Sequence, residues 1–207
     1  MSAPESSLPV AGTVVVLRAA DPGFELLLMR RPDRGSFAGA WVFPGGKVEP
    51  GDVRDGDEEV EDARRAAIRE TREEVGLAVA DLVPLSQWQP PLEAPTRIRT
   101  WFFLAEAPDE EPSPSADEVA EIAWVRPAEA LARHAAGEWT LYPPTWITLH
   151  QLSVFDDVAA AAAAAVAANG VAQLFRTRVL DSDAGRAFAW DQGRLEAGAL
   201  PWRYIET

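Results

Sequence analysis

A chain of 207 residues suits one ordinary domain with an extension, or at most two small ones, and its 47% apolar and 25% charged residues are those of a soluble globular protein. The formal net charge of −14 argues against a nucleic-acid partner, whose phosphates demand basic surface, but not against a small phosphorylated substrate that a metal ion helps to neutralise. The absence of cysteine removes disulfides, thiolate chemistry and zinc–sulfur sites.

The first ten residues, MSAPESSLPV, lack a basic region followed by an apolar stretch, so no signal peptide is expected. No apolar run reaches the length that spans a bilayer. A cytoplasmic protein with no membrane partner is the expectation.

Residues 1–9 read as a loose tail. Val10 to Leu17 is a β-branched run and Phe24 to Met29 a second one, with the turn signal Asp21-Pro22-Gly23 between them, which predicts a hairpin. Ser36 to Pro50 is glycine- and aromatic-rich and reads as a functional loop around a short strand at Trp41–Phe43. Asp57 to Val75 is predicted as a helix, capped by Asp57 and ended by Gly76. Its core stripe is Val60, Ala63, Ala67, Thr71 and Val75, with Arg64 snorkelling beside it. Leu77–Trp88 and Arg97–Ala105 are predicted strands joined by the proline loop Gln89–Pro95. Pro108–Pro114 is an acidic surface loop, Val119–Val125 a strand and Pro127–Ala135 a short helix. Tyr142-Pro143-Pro144 precedes a helix carrying Trp146, Leu149 and Leu152. Asp156 or Asp157 caps an alanine-rich helix that stops at Asn169-Gly170, and strand-like pieces with turns follow from Val171. Strands and helices mixed at this spacing predict an α/β (α+β) sandwich.

The segment Arg69-Glu70-Thr71-Arg72-Glu73-Glu74-Val75-Gly76-Leu77 carries chemistry. Glu70 and Glu74 lie one helical turn apart with Glu73 beside them. Like charges at that spacing cost about 0.2–0.5 kcal/mol per pair, and they sit at the negative end of the helix dipole, where lysine would be preferred. A divalent cation removes both objections, and clustered oxygen ligands suit magnesium or manganese. A solvated, charge-laced helix is the plain alternative. The upstream loop, Phe43-Pro44-Gly45-Gly46-Lys47-Val48-Glu49-Pro50-Gly51-Asp52, shifts the balance: Pro-Gly-Gly allows backbone to approach a ligand closely, with an ordinary turn as its plain alternative.

Loop and helix together resemble the Nudix box: Gly46 matches its glycine, and Arg69, Glu70, Glu73, Glu74, Gly76 and Leu77 match its helix end. Asp52 stands where the family has a glutamate. Sixteen residues rather than seven separate Asp52 from Arg69, an insertion at about Val53 to Glu61 that is polar enough to loop out. Thr71 occupies an often aliphatic place. Leu26-Leu27-Leu28-Met29-Arg30-Arg31, Thr96 to Leu104 and Glu118 to Pro127 resemble further strands of the family, so the resemblance covers roughly residues 10–135. It implies a Nudix α/β/α sandwich with a mixed sheet over residues 10–140 and, over 141–207, a C-terminal helical extension packed on it.

The resemblance also implies a diphosphatase that attacks one phosphorus of a nucleoside diphosphate derivative with water, using Mg2+ or Mn2+. Glu70, Glu74, Glu73 and the Gly46 carbonyl are the implied metal ligands. Glu73 is also the candidate base, and Arg69 would orient the carboxylates. A base on a distant loop is the alternative, with Glu110, Glu111 and Glu118 available. Arg97 and Arg99 share one face of their strand and are candidates, with Arg31, for substrate phosphates; Phe43 and Trp88 are candidates for contact with the base. A pair of solvent-facing arginines and core aromatics are the plain alternatives. A homodimer is the family's common assembly.

The approach Phe37-x-Gly39-x-Trp41, the interrupted box and Leu141-Tyr142-Pro143-Pro144-Thr145-Trp146 resemble the branch that includes a peroxisomal coenzyme A diphosphatase of animals. That favours coenzyme A or acyl-coenzyme A as substrate. The histidine and glutamine of the better-known coenzyme A signature are replaced by Phe37 and Ala40, so ADP-ribose, dinucleotides and nucleotide sugars stay open. A nucleotide-sensing Nudix module without activity is a second reading, weakened because the helix glutamates are all kept. Prenyl diphosphate isomerisation on this fold uses a cysteine, which the chain lacks.

Overall fold

The β-branched run at the start of the chain forms β1 (Val10–Ala19), which turns back into β2 (Phe24–Arg30). Their hairpin closes at the expected turn, where the Ala20 N–H donates to the Gly23 carbonyl at 2.9 Å. This computed structural model describes residues 8–35, 37–167, 171–182 and 185–207. Most of the expected tail and the expected stop at Asn169-Gly170 lie outside the described residues.

Five further strands join the hairpin: β3 (Trp41–Val42), β4 (Gly45–Lys47), β5 (Val83–Gln89), β6 (Arg99–Glu106) and β7 (Glu121–Val125). With β8 (Gln173–Arg176) they make one mixed sheet in the order β3-β2-β1-β6-β5-β8, β4 pairing with β1 and β7 with β2. β1 runs parallel to β6 and β5 parallel to β8, while the remaining pairs are antiparallel.

The helix α1 (Glu59–Val75) covers one face. Ala63, Ala67 and Val75 pack there on Val14, Val16, Leu27 and Phe103. The approach is close, since a Cβ on Gly12 would fall 1.9 Å from the Ala63 carbonyl oxygen. Thr71 is tolerated in an aliphatic place because its hydroxyl donates to the Ala67 carbonyl at 2.7 Å, which satisfies the buried group. Arg64 does snorkel: its guanidinium lies 5.1 Å from the Phe103 ring centroid and its head reaches Glu61 and the Leu82 carbonyl.

The other face is covered by α2 (Pro127–Ala135), α3 (Pro143–Leu152) and α4 (Val158–Ala167). Ala130, Trp146, Leu149, Leu152, Ala161 and Ala165 pack on Val15, Leu17, Leu26 and Phe102. The result is the expected α/β/α sandwich. Residues 141–207, expected as a helical extension, open with α3 and α4 and then turn to strands. β8 extends the main sheet, and β9 (Arg178–Ser182), β10 (Gly185–Trp190), β11 (Gly193–Glu196) and β12 (Arg203–Glu206) form a separate antiparallel meander. The two-residue alternation that buries Ala187 and Ala189 is the strand signal there.

Element ends shift for identifiable reasons. α1 begins two residues after Asp57, which instead pairs with Arg65 at 2.8 Å. The predicted strand Leu77–Trp88 forms only from Val83, because Asp81 takes φ 51, while Leu77, Val79 and Leu82 are buried under α1. Asp157 is the cap of α4, accepting from the Ala160 N–H at 2.7 Å. Among the described residues no helix is long and apolar enough to cross a membrane.

His134 is buried where α2 meets the C-terminal meander. Its Nδ1 donates to the Trp139 carbonyl at 3.0 Å and its ring stands edge-on to Trp202, while Nε2 has no hydrogen-bond partner among the described residues. Burial therefore holds its pKa below the usual 6.5, against the bond to Trp139, which raises it. The folded state keeps this imidazole neutral and the unfolded chain protonates it below 6.5, so its contribution is complete above that pH and is lost as the pH falls. Melting temperatures at pH 7.5 and 5.0 should differ more in the parent than in His134→Gln; equal differences would contradict this account.

Candidate active site

The carboxylates at the end of α1 meet the glycine loop. Gly46 lies on β4 opposite Gly12 of β1. A Cβ built on it would fall 2.2 Å from the Glu70 carboxyl carbon and 2.3 and 2.6 Å from its two oxygens, so only glycine leaves room for the carboxylate. Val14 N–H to the Pro44 carbonyl and Val48 N–H to the Val10 carbonyl, both 2.9 Å, flank the Gly12–Gly46 pair. By the alternation of an antiparallel ladder, the Gly46 peptide groups face β1 and those of Gly45 face away. The Gly46 carbonyl, expected as a metal ligand, is thus turned toward β1, and what Gly46 contributes is the absent side chain. The Gly45 N–H donates to Glu74 Oε2 at 2.8 Å.

Glu74 is only 2% exposed. Its other oxygen accepts from Arg31 Nη1 at 2.8 Å. Burial pushes its pKa up to about 7 despite the Gly45 bond and the Arg31 charge, with the charges of Glu70 and Glu118 adding to the rise. Burial likewise raises Glu70, against the Arg69 guanidinium that lowers it. The α1 end tolerates these anions because its last carbonyls are engaged. Ser113 and Ser115 N–H groups each donate at 2.8 Å to the Val75 and Glu74 carbonyls, and Gly76, at φ 76, caps the helix on the Arg72 carbonyl.

Arg69 organises the remainder. Its guanidinium donates to Asp52 through Nε (3.2 Å) and Nη2 (2.9 Å), to Glu70 (2.8 Å) and Glu73 (3.1 Å) through Nη1, and to the Lys47 carbonyl (3.0 Å). The Asp52 bonds lead in raising the Arg69 pKa. Burial pushes Asp52 up, but the Arg69 bond and the Glu49 N–H (2.9 Å) hold it below the usual carboxylate value. Asp52 is therefore the anchor of Arg69. The insertion runs as turns and loop to Glu58 and enters α1 at Glu59, leaving Gly46 against Glu70.

Several expected contacts are not brought here. Glu73 stands at the outer edge, its side chain 55% exposed. Arg99 pairs with Glu59, which also accepts from Trp101 Nε1 at 2.8 Å. Glu59 lies at the other end of α1, about 16 Å along the axis from Glu70. Arg99 is therefore held away from the carboxylates, and Arg97 lies before the start of β6. Phe43 and Trp88 are core residues. Phe43 stands edge-on to Phe102 at 6.1 Å, and Trp88 stacks on Phe175 at 4.0 Å and 2°. Trp88→Ala should then cost about 3–5 kcal/mol of stability, a fall in melting temperature of roughly 10 °C or more, with KM unchanged below the transition. An unchanged melting temperature with a raised KM would return Trp88 to the substrate.

Two residues beyond the motif do come in. Arg31 reaches Glu74, and Glu118, from the loop docked on the α1 end, is near enough for its charge to raise both Glu70 and Glu74. Nothing in the spacing of Glu110, Glu111 and Glu118 distinguishes them; the Ser115–Val119 backbone bond that folds this loop does (2.9 Å). Among the described residues no three acidic or histidine side chains form a ready-made ion cage; Arg69 and Arg31 occupy several of the carboxylate oxygens. The donors nevertheless fit a hard divalent cation: oxygens with spare lone pairs, two desolvated carboxylates with raised pKa values, and a glycine whose missing side chain lets the Glu70 carboxylate come against the loop.

A family model, the NUDIX domain, matches residues 8–144, well over half of the chain. The chain belongs to the Nudix family. It is 35% identical over 112 residues to the CTP pyrophosphohydrolase of Escherichia coli, covering 52% of this chain and 70% of that protein. It is 43% identical over 72 residues to an NAD-capped RNA hydrolase of Mycobacterium tuberculosis, covering 35% of this chain but only 22% of that protein's length. Among solved structures, a NUDIX hydrolase from Alicyclobacillus acidocaldarius superposes with a TM-score of 0.68 at 23% identity, over 76% of this chain and 96% of that one. A MutT NUDIX hydrolase from Burkholderia pseudomallei gives 0.54 at 26%, over 70% and 98%. These place the Nudix fold on the sheet and helices described above.

Proposed function

We propose that this Nudix chain is a divalent-cation-dependent hydrolase of the diphosphate linkage in a nucleoside diphosphate derivative. The observation that carries it is the convergence of Glu70 and the buried Glu74 on the Gly45-Gly46 loop, with more negative charge than the local arginines relieve. Glu70, Glu74 and the Gly45 carbonyl would hold Mg2+ or Mn2+, and Glu73 would join from the outer edge. Such an ion, when bound, neutralises diphosphate charge and activates water for attack. Arg69, braced by Asp52, fixes the Glu70 and Glu73 carboxylates. Arg31 holds Glu74 and presents positive charge where the diphosphate would lie. Glu118 is the better-placed candidate to take the proton of the attacking water, with Glu73 as the alternative.

Two of the relatives act, by their names, on CTP and on NAD-capped RNA, which supports a nucleotide-bearing substrate; the net charge of −14 favours a small one. Coenzyme A or acyl-coenzyme A is supported by the interrupted box and the Phe37-x-Gly39-x-Trp41 approach, while Arg99 is engaged by Glu59 and Trp146 is buried in the core. ADP-ribose and nucleotide sugars are equally compatible. The test is a panel of ADP-ribose, coenzyme A, dinucleotides and nucleotide sugars with Mg2+ or Mn2+, products read by mass. Cleavage between the phosphates of at least one compound, abolished by chelator, is expected; no cleavage of any would favour a nucleotide-sensing module instead.

A further inference from the structure

The large aromatic side chains near the glycine loop divide sharply. Trp41 and Trp139 stack on each other in the core at 4.0 Å, whereas Phe37 and Tyr142 are 46% and 39% exposed. These two meet edge to face, 4.9 Å apart at 85°. That geometry suits a quadrupole pair and leaves ring surface in water. Phe37 does so from φ 59, a backbone region that side chains with a bulky Cβ substituent avoid. Gly35 and Gly39 nearby already supply left-handed positions, so the turn does not require an aromatic at 37. Strain of this kind at an exposed ring is better explained by what the ring touches in use than by folding.

The pair is also tied to the carboxylates. The Arg31 N–H donates to the Ala40 carbonyl at 2.9 Å and closes the stem of this loop, and the Arg31 side chain bonds Glu74. Arg34 donates to the Asp117 carbonyl at 3.1 Å, next to Glu118. Ala40 bridges Thr140, and the Trp41 N–H donates to the Thr140 carbonyl at 2.9 Å, which sets Tyr142 beside the loop. Phe37 is three residues from Ala40 and so within about 10 Å of the stem.

We propose that Phe37 and Tyr142 form an open aromatic platform on which the planar base of a nucleoside diphosphate substrate stacks while its diphosphate lies at Glu70 and Glu74. This rests on the diphosphatase reading of the same site. The Tyr142 hydroxyl is the platform's sole polar side-chain group, and stacking accepts any base, so purine and pyrimidine nucleotides should bind within a few-fold of each other.

The test is calorimetric binding, with Mg2+, of α,β-methylene-ADP and of methylenediphosphonate, which keeps the two phosphorus groups and lacks the nucleoside. The parent should bind the nucleotide more tightly. Phe37→Gly and Tyr142→Ala should each weaken the nucleotide about ten-fold and leave methylenediphosphonate unchanged. Phe37→Gly should melt no lower than the parent, because glycine adopts φ 59 freely. Tyr142 makes no side-chain cap to α3, so its loss should leave the helix intact. Unchanged nucleotide affinity in both variants would overturn the platform, as would equal weakening of both ligands. A parent that binds neither ligand would sink the diphosphatase reading itself and the platform with it.

Discussion

Glu74→Gln is expected to lower turnover at saturating Mg2+ by at least about a hundred-fold, while the protein stays folded. A lost ionic ligand removes several kcal/mol of charge stabilisation in the transition state, and each 1.4 kcal/mol is about ten-fold in rate. The fold should survive because the amide keeps the shape of the carboxylate and can still accept the Gly45 N–H, which now meets Glu74 Oε2 at 2.8 Å. Glutamine also removes the cost of ionising a carboxyl whose pKa is pushed up to about 7 by burial, so the metal-free variant should melt no lower than the metal-free parent at pH 8. Turnover within a few-fold of the parent would show that the α1 carboxylates are not the reacting site.

Gly46→Ala is expected to be nearly as damaging, by a different route. The added methyl would stand 2.2–2.6 Å from the Glu70 carboxyl group, so the side chain must leave its place. Gly46 has no positive φ, and alanine costs its backbone little. Activity should therefore fall by about a hundred-fold, and the melting temperature by only a few degrees. The double variant Gly46→Ala, Glu70→Gln should be no worse than Glu70→Gln alone, because both act on one carboxylate. Additive losses would mean that Gly46 acts through something other than Glu70.

Glu70 and Glu74 were legible in the sequence because their placement contradicts helix electrostatics unless something compensates. Asp52 and Arg69 were legible as motif positions, but their mutual bonding was not, since an insertion of uncertain path lies between them. Glu118 could be named only as one of three acidic residues; its approach depends on how the loop before β7 docks on the end of α1. Arg97, Arg99, Phe43 and Trp88 illustrate the opposite failure. Arg97 lies before β6, so strand alternation does not tie it to Arg99, and periodicity does not say that Arg99 meets the Glu59 end of α1. Burial of Phe43 and Trp88 is likewise decided by partners distant in sequence, Phe102 and Phe175. β4 escaped notice because Gly-Gly carries no side-chain pattern, and the strand exists through its pairing with β1.

If this chain cleaves diphosphate linkages with the α1 carboxylates, the new oxygen must arrive on phosphorus and its arrival must depend on Glu70 and Glu74. The most direct test is to incubate parent, Glu70→Gln and Glu74→Gln with the hydrolysed member of the panel and Mg2+ in water enriched in oxygen-18, and to weigh the products. Cleavage between the two phosphorus atoms by the parent, with one heavy oxygen in a single product phosphate and only residual turnover in both variants, is the predicted result. Cleavage that places the heavy oxygen elsewhere than on phosphorus, or that proceeds at the parental rate in both variants, would contradict it.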